Sequence, residues 1–536
     1  MNTIYPIPLS ITTDSDARVS VAQVKLDSDG QAFASTLQSL GMIPADNGTP
    51  FTITYRDLTD DFAYGKEEAY ILTTAPDGIA ITAETSRGAY YALMTLSQMI
   101  EDSTVPAVTI KDAPRNALRG VIEGFYGVAW THEYRKDLFA FMGKNKLNLY
   151  IYAPKDDPKH RAEWREAYTG SELTRMQDLL ASAKENHVKF VYAISPGNDI
   201  NLGDGYDADF AALMAKCESM YTLGVLDFAI FLDDIPTLAA EGHAKLLNDF
   251  QEQFVMTHEG ASNLIGITPE YCDPMLTPYT ERFSPLIRSD IELMWTGKDV
   301  VPDTITNASL ESITQTYGRG LFIWWNYPVN DAGDILNHLF MGPCMGLEKT
   351  LYHTTTGLVS NPMNEGYASL YSLFTTADYL WNPDVYDMNA SFAAAVRYLA
   401  PTMIEEMTLF IHMTEASVMN GRTDSVEMAA LLAAYEAEPT TVNANALIAA
   451  FDRMIVAADT IKTDVTFYAE TTGYVDKFRA YGEMGKAYFT LQKALSAGKD
   501  DADARAAYRA AAEGIVGNPR IVSMNVLTPF FEKIDL

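Results

Sequence analysis

Eight short runs between residues 118 and 361 are mostly apolar and then turn abruptly polar: LRGVIEGFY, KLNLYIYAP, VKFVYAIS, LDFAIFLDD, LIGITPEY, IELMWTG, GLFIWWN and TTTGLVSN. Runs of this length, rich in Val, Ile, Phe, Tyr and Trp, predict strands buried on both faces. Most are separated by stretches with helical spacing, at 132–143, 171–186, 207–223, 239–258 and 303–317. The crossover at 274–288 is Pro-rich and less clearly helical. Eight alternations over roughly 260 residues predict an α/β fold, a central (β/α)8 TIM-type barrel spanning 114–380. The alternative, an open doubly wound sheet, is weakened because no Gly-rich phosphate loop follows a strand.

The pattern differs on either side. Over residues 1–113, β-branched and aromatic residues alternate with polar ones at 3–12, 51–57, 67–75 and 78–84, and a helix over 89–100 opens at Ser86. This predicts an N-terminal α+β domain of four or five strands, a structural module that carries no chemistry. Beyond residue 380 the chain is rich in Ala, Met and Glu, with helical periodicity at 393–407, 426–437, 443–460 and 474–497. A C-terminal helical bundle over 381–536 is expected.

Composition narrows the partners. With 39 basic and 71 acidic residues among 536, the net charge is −32. That argues against nucleic acid and against an anionic membrane surface. No apolar run approaches the ~20 residues of a membrane span. The opening MNTIYPIPLS lacks a charged region followed by an apolar stretch, so no secretory signal is expected there. Three scattered cysteines, Cys217, Cys272 and Cys344, imply free thiols rather than a disulfide framework. The eight histidines form no HExxH pair, and no metal or cofactor is expected. The segment 201–209, NLGDGYDAD, hints at a calcium loop but lacks the spacing of an EF-hand glutamate, so a turn with an N-cap is the reading.

In a barrel the carboxyl ends of the strands carry the site. The fourth run, DFAIFLDDIP over 227–236, ends in two adjacent carboxylates, Asp233 and Asp234; taken alone, these residue types suit an N-cap of the next helix equally well. The other ends supply Glu123-Gly124-Phe125-Tyr126-Gly127, Lys155-Asp156-Asp157, Thr268-Pro269-Glu270-Tyr271, Trp295-Thr296-Gly297, Trp324-Trp325-Asn326 with Asp331, and Ser360-Asn361-Pro362. Rings, amides, carboxylates and a lysine together suit a sugar, whose apolar face stacks while its hydroxyls take hydrogen bonds. Trp324 and Trp325 are strand neighbours and must face opposite ways, so one of them packs. Lys155 with Asp156 and Asp157 also reads as a solvated ion-pair loop.

These motifs are specific as a set. RGVIEGFYGVAWTHEYRKDLFAFMGKNKLNLYIYAPKDDPKHRAEWRE (119–166), then FLDDIP, TPEYC, MWTG, WWNYPVND and SNPMNE in order, resemble glycoside hydrolase family 84, the β-N-acetylglucosaminidases that include O-GlcNAcases. The resemblance covers about 113–375 and implies a (β/α)8 barrel and retaining, substrate-assisted hydrolysis, an exception to the scheme with an enzymic carboxylate nucleophile. The substrate's own 2-acetamido oxygen would attack, giving an oxazoline. Asp233 is then implied to orient the acetamido N–H, and Asp234 to act as general acid and later as base. Gly124, Lys155, Asn326, Asp331 and Asn361 are implied to hold sugar hydroxyls; Tyr271 lies beside the acetamido pocket, Trp324 forms a wall and Tyr126 an edge. Adjacent carboxylates titrate as a coupled pair, with one member raised. The implied partners are glycans or glycoproteins bearing terminal β-linked GlcNAc, including GlcNAc on Ser or Thr. The alternatives are a hyaluronan-type or other N-acetylhexosamine glycosidase and a non-catalytic carbohydrate-binding barrel; the intact aspartate pair argues against the latter.

Overall fold

The computed structural model describes residues 3–273, 276–416, 423–499 and 501–534. Seven strands precede the barrel: β1 (Ser10–Ser20), β2 (Gln23–Leu26), β3 (Ile43–Pro44), β4 (Thr49–Tyr55), β5 (Tyr70–Ala75), β6 (Gly78–Ala83) and β7 (Thr104–Asp112). They form one mixed sheet in the order β1-β7-β5-β6-β4-β2-β3, antiparallel from β1 to β6 and parallel from β6 to β3. The sheet exceeds the expected four or five strands because β2 and β3 are too short to show alternation and β7 contains Pro106, a residue that demotes a strand in sequence. The first strand also starts later than expected, at Ser10. Its helix, Ser86–Gln98, is capped by the Thr85 hydroxyl, which accepts from the Gly88 N–H, and it buries Tyr91, Leu93 and Leu96.

The eight apolar runs become β8 (Leu118–Glu123), β9 (Leu149–Tyr152), β10 (Lys189–Ile194), β11 (Asp227–Phe231), β12 (Ile265–Ile267), β13 (Glu292–Trp295), β14 (Leu321–Trp325) and β15 (Thr355–Ser360). They close into a barrel in sequence order, each pair parallel, with β15 meeting β8. Alternate residues explain why the runs are apolar throughout. Ile122, Ile151, Phe231, Phe322 and Trp324 fill the interior, while Tyr150, Ile230, Trp295 and Trp325 pack outward on the helices. The Pro-rich crossover holds one short helix, Pro278–Phe283, with Thr277 as its cap; residues 274 and 275 of that stretch lie outside the described residues.

Helix Gly366–Trp381 follows β15. Then come Met388–Leu399, Ile404–Thr414, Val426–Ala437, Thr441–Ile461, Val465–Ser496, Ala502–Ile515 and Leu527–Phe531. The single helix expected over 393–407 is two, because Pro401 cannot continue a helix. The segment 201–209 is a turn over 201–205, where the Asn201 side chain accepts from the Gly203 and Gly205 N–H groups at 2.9 and 3.3 Å, and then opens helix Tyr206–Thr222, whose N-cap, Gly205, has no side chain to cap it. Among the described residues no helix is long and apolar enough to cross a membrane.

Candidate active site

β11 ends at Phe231, and the backbone then turns sharply, with Asp234 in the left-handed region at φ 56°. Aspartate is among the few residues that tolerate this conformation. The turn sends two consecutive carboxylates into different surroundings. Asp233 is 4% exposed, while Asp234 lies open at the cavity. Neither serves the following helix as a cap, since Ala240–Gln253 begins from Ala239.

Asp233 receives the Lys155 ammonium on Oδ2 at 2.5 Å. Its buried Oδ1 meets no donor among the described residues. Burial works against ionisation, but the Lys155 charge and hydrogen bond outweigh it and hold the Asp233 carboxyl below its ordinary range. Asp233 is therefore lowered rather than raised. Lys155 does not pair with Asp156 or Asp157 in a solvated loop; Asp157 instead accepts from the Tyr152 and Tyr168 hydroxyls at 2.8 and 2.6 Å.

Asp234 is held by phenols. The Tyr271 hydroxyl donates to Oδ1 at 2.6 Å and the Tyr126 hydroxyl to Oδ2 at 2.7 Å. Burial pushes the Tyr126 phenol up to about 12, and burial together with Asp234 raises that of Tyr271, so both remain donors at neutral pH. The Tyr126 N–H donates to Asp331 Oδ2 at 2.7 Å, and burial pushes the Asp331 carboxyl above its usual range despite that bond.

The floor is the Trp324 indole, 5% exposed, whose Nε1 donates to Asn326 Oδ1 at 2.9 Å. The same oxygen accepts from Asn361 Nδ2 at 2.8 Å, and Asn361 Oδ1 accepts from the Gly124 N–H at 3.3 Å. All ten residues singled out in the sequence, namely Gly124, Tyr126, Lys155, Asp233, Asp234, Tyr271, Trp324, Asn326, Asp331 and Asn361, line one cavity of about 480 Å³. Its remaining walls include Ile267, Thr296, Val300, Val329 and Ile335. A cavity of this size, apolar with a few convergent polar groups, suits a monosaccharide.

Sequence reasoning missed Arg161, which donates to the Tyr126 hydroxyl at 3.0 Å and to the Asp234 carbonyl at 3.5 Å. It also missed Asn364, which donates to the carbonyls of Tyr126 and Val128 at 3.2 and 3.3 Å. The available signals were the place of Arg161 in the same strand-end loop as Lys155, and that of Asn364 just past Asn361. Glu123 is also a strand-end carboxylate, but it points outward and pairs with Arg135 at 2.7 Å.

Two neighbouring carboxylates, one neutralised by a cation and one left among phenols above an indole floor, stand in different electrostatic surroundings, the arrangement expected where the paired carboxylates of a glycosidase divide their tasks. A family model described as beta-N-acetylglucosaminidase matches residues 119–412. The flanking segments match glycosyl hydrolase family 20, domain 2 (residues 3–113) and a hyaluronidase post-catalytic domain-like model (residues 425–531). The solved structure of CpGH84B has a TM-score of 0.88 and 30% identity, covering 99% of this chain and 100% of that one. A mutant Thermobaculum terrenum O-GlcNAc hydrolase has a TM-score of 0.71 and 25% identity, covering 78% of this chain and 94% of that one. Protein O-GlcNAcase of Rattus norvegicus is 34% identical over 277 residues, 49% of this chain but 30% of the relative's length. The chain belongs to the family 84 β-N-acetylglucosaminidases.

Proposed function

We propose that the protein is a retaining exo-β-N-acetylglucosaminidase that removes terminal β-linked GlcNAc, including GlcNAc on Ser or Thr of proteins, by substrate-assisted catalysis. The observation that carries this reading is the asymmetry of the aspartate pair. Asp233 is a buried carboxylate with Oδ2 on Lys155 and Oδ1 open. An acetamido N–H is the kind of donor such an oxygen lacks. Accepting it, Asp233 turns the acetamido carbonyl toward the anomeric carbon and raises its nucleophilicity.

The carbonyl oxygen attacks C1 as the C1–O bond to the leaving group breaks, and Asp234 gives its proton to the departing oxygen. The product is an oxazoline whose developing positive charge is met by the Asp233 carboxylate. Water then attacks C1, Asp234 takes its proton, and the ring reopens with retained configuration. Trp324 carries the apolar face of the sugar, and Asp331 and Asn361 take its hydroxyls.

Turnover of aryl β-N-acetylglucosaminides tests the roles. Asp234→Asn should lose about 10²–10⁴-fold on poor leaving groups and much less on highly activated ones, because only the former need the acid. Asp233→Asn should lose activity on all of them. Fluorination of the acetamido group should slow the wild type steeply, whereas a flat response, or hydrolysis of the matching β-glucoside, contradicts an internal nucleophile.

A further inference from the structure

The loop after β9 delivers two cations, one toward each aspartate, in two different ways. Lys155 touches Asp233 directly at 2.5 Å. Six positions on, Arg161 reaches Asp234 through an intermediary: its Nη1 donates to the Tyr126 hydroxyl at 3.0 Å, and that hydroxyl donates to Asp234 Oδ2 at 2.7 Å. The reach of Arg161 is fixed by its neighbour. The His160 ring is fully buried, with Nδ1 2.8 Å from the Ala193 carbonyl, and the His160 carbonyl accepts from the Ser195 N–H at 2.9 Å, so the loop is pinned to the end of β10.

The difference between direct and relayed contact matters chemically. A cation on a carboxylate fixes it in the ionised state, which suits Asp233, whose task is to accept an N–H. The same contact on Asp234 would hold an acid ionised when it must first donate a proton. A neutral phenol placed between them removes the direct ion pair, and it still offers a polarised O–H once the proton has left. With a phenolic O–H on each carboxylate oxygen, the arrangement fits Asp234 after proton transfer, which is the state that must be stabilised selectively for the barrier to fall.

Resting on the glycosidase reading above, we infer that Arg161 is a positioning residue that acts through the Tyr126 hydroxyl to stabilise the Asp234 carboxylate as it forms during departure of the leaving group. No atom is transferred to Tyr126 or Arg161. The proton passes from Asp234 to the glycosidic oxygen, and the phenol keeps its own.

The test is a double-mutant cycle on kcat/KM, which reports the step up to loss of the leaving group, across aryl leaving groups of graded basicity. Arg161→Gln should lower kcat/KM about tenfold on poor leaving groups, a fraction of what general acid catalysis supplies, and the loss should shrink to about twofold on activated ones. In a Tyr126→Phe background the same substitution should add less than about twofold, because the relay is already broken. Arg161→Lys, which keeps the cation, should recover part of the loss. Losses that are equal on all leaving groups, or that multiply with Tyr126→Phe, overturn the relay and leave Arg161 as a loop support acting through the Asp234 carbonyl. A wild type without turnover of any acetamido substrate overturns the glycosidase reading itself and this inference with it.

Discussion

Gly124 sits where a side chain has no room. A Cβ built there would lie 2.5 Å from Trp324 Cζ2 and 2.9 Å from Cη2. The indole cannot slide aside freely, since its Nε1 is tied to Asn326 Oδ1, which is in turn tied to Asn361. Gly124→Ala should therefore push the indole into the space for the sugar. Overpacking of this kind costs about 1–3 kcal/mol, so KM for an aryl β-N-acetylglucosaminide should rise roughly tenfold or more, with a lower melting temperature; an unchanged KM would show that the indole is not the sugar platform. At this scale much was legible in sequence. The doubled aspartate, the glycine-aromatic turn and the tryptophan pair each announce themselves as residue types at strand ends. Arg161 did not, because its role depends on meeting Tyr126, 35 positions away in sequence, and Asp234, 73 away.

Among the elements, the barrel strands were readable because both of their faces are buried, so length and β-branched content sufficed. The short strands β2 and β3 were not, and the split at Pro401 was overlooked within a longer periodic run. What no local pattern reveals is the joint between the N-terminal sheet and the barrel base. Lys146, just before β9, is fully buried and donates to Asp112 Oδ2 on β7 and to the Tyr70 hydroxyl on β5, both at 2.8 Å. The Trp381 Nε1 donates to the other oxygen of Asp112 at 2.8 Å. Beside them, fully buried Arg119 on β8 pairs with Glu68 at 2.5 Å. The N-terminal sheet is thus joined to the barrel by buried charge rather than by apolar packing alone. Removing one partner of such a pair leaves an uncompensated ion and typically costs about 3–5 kcal/mol. Lys146→Met should destabilise the protein by that order in denaturant titration, while kcat and KM at low temperature stay at wild-type values. A cost near zero would mean that the other donors to Asp112, the Tyr70 hydroxyl at 2.6 Å, the Trp381 Nε1–H and the Leu9 N–H at 3.2 Å, satisfy it without the cation.

Across the whole molecule, the C-terminal helices hold the loop that carries Asp331. That loop follows β14 and is tied to the helical region at three points. The Ile521 N–H donates to the Asn337 carbonyl at 2.8 Å, Arg520 Nη1 to Asn337 Oδ1 at 3.2 Å, and the Tyr474 hydroxyl to the His338 carbonyl at 2.9 Å. The ties continue toward the cavity. Asn330, beside Asp331, donates to the His338 carbonyl and to Glu365 Oε2, both at 2.8 Å, and Arg520 stands 3.8 Å from the other oxygen of Glu365. Asp331 and Tyr126 close the circuit through the Tyr126 N–H. The aspartate pair sits in the turn after β11 and meets this circuit at one point, the Tyr126 hydroxyl on Asp234. Loosening the loop from the helical side should therefore weaken the grip on sugar hydroxyls more than it disturbs the acid and the acetamido partner. Arg520→Ala should raise KM several-fold with kcat reduced less than about twofold, because the lost contacts serve ground state and transition state alike. Amide exchange should accelerate through 326–342 and remain slow in β11. A fall in kcat at constant KM would instead place the influence of the helical region on the chemistry at Asp233 and Asp234.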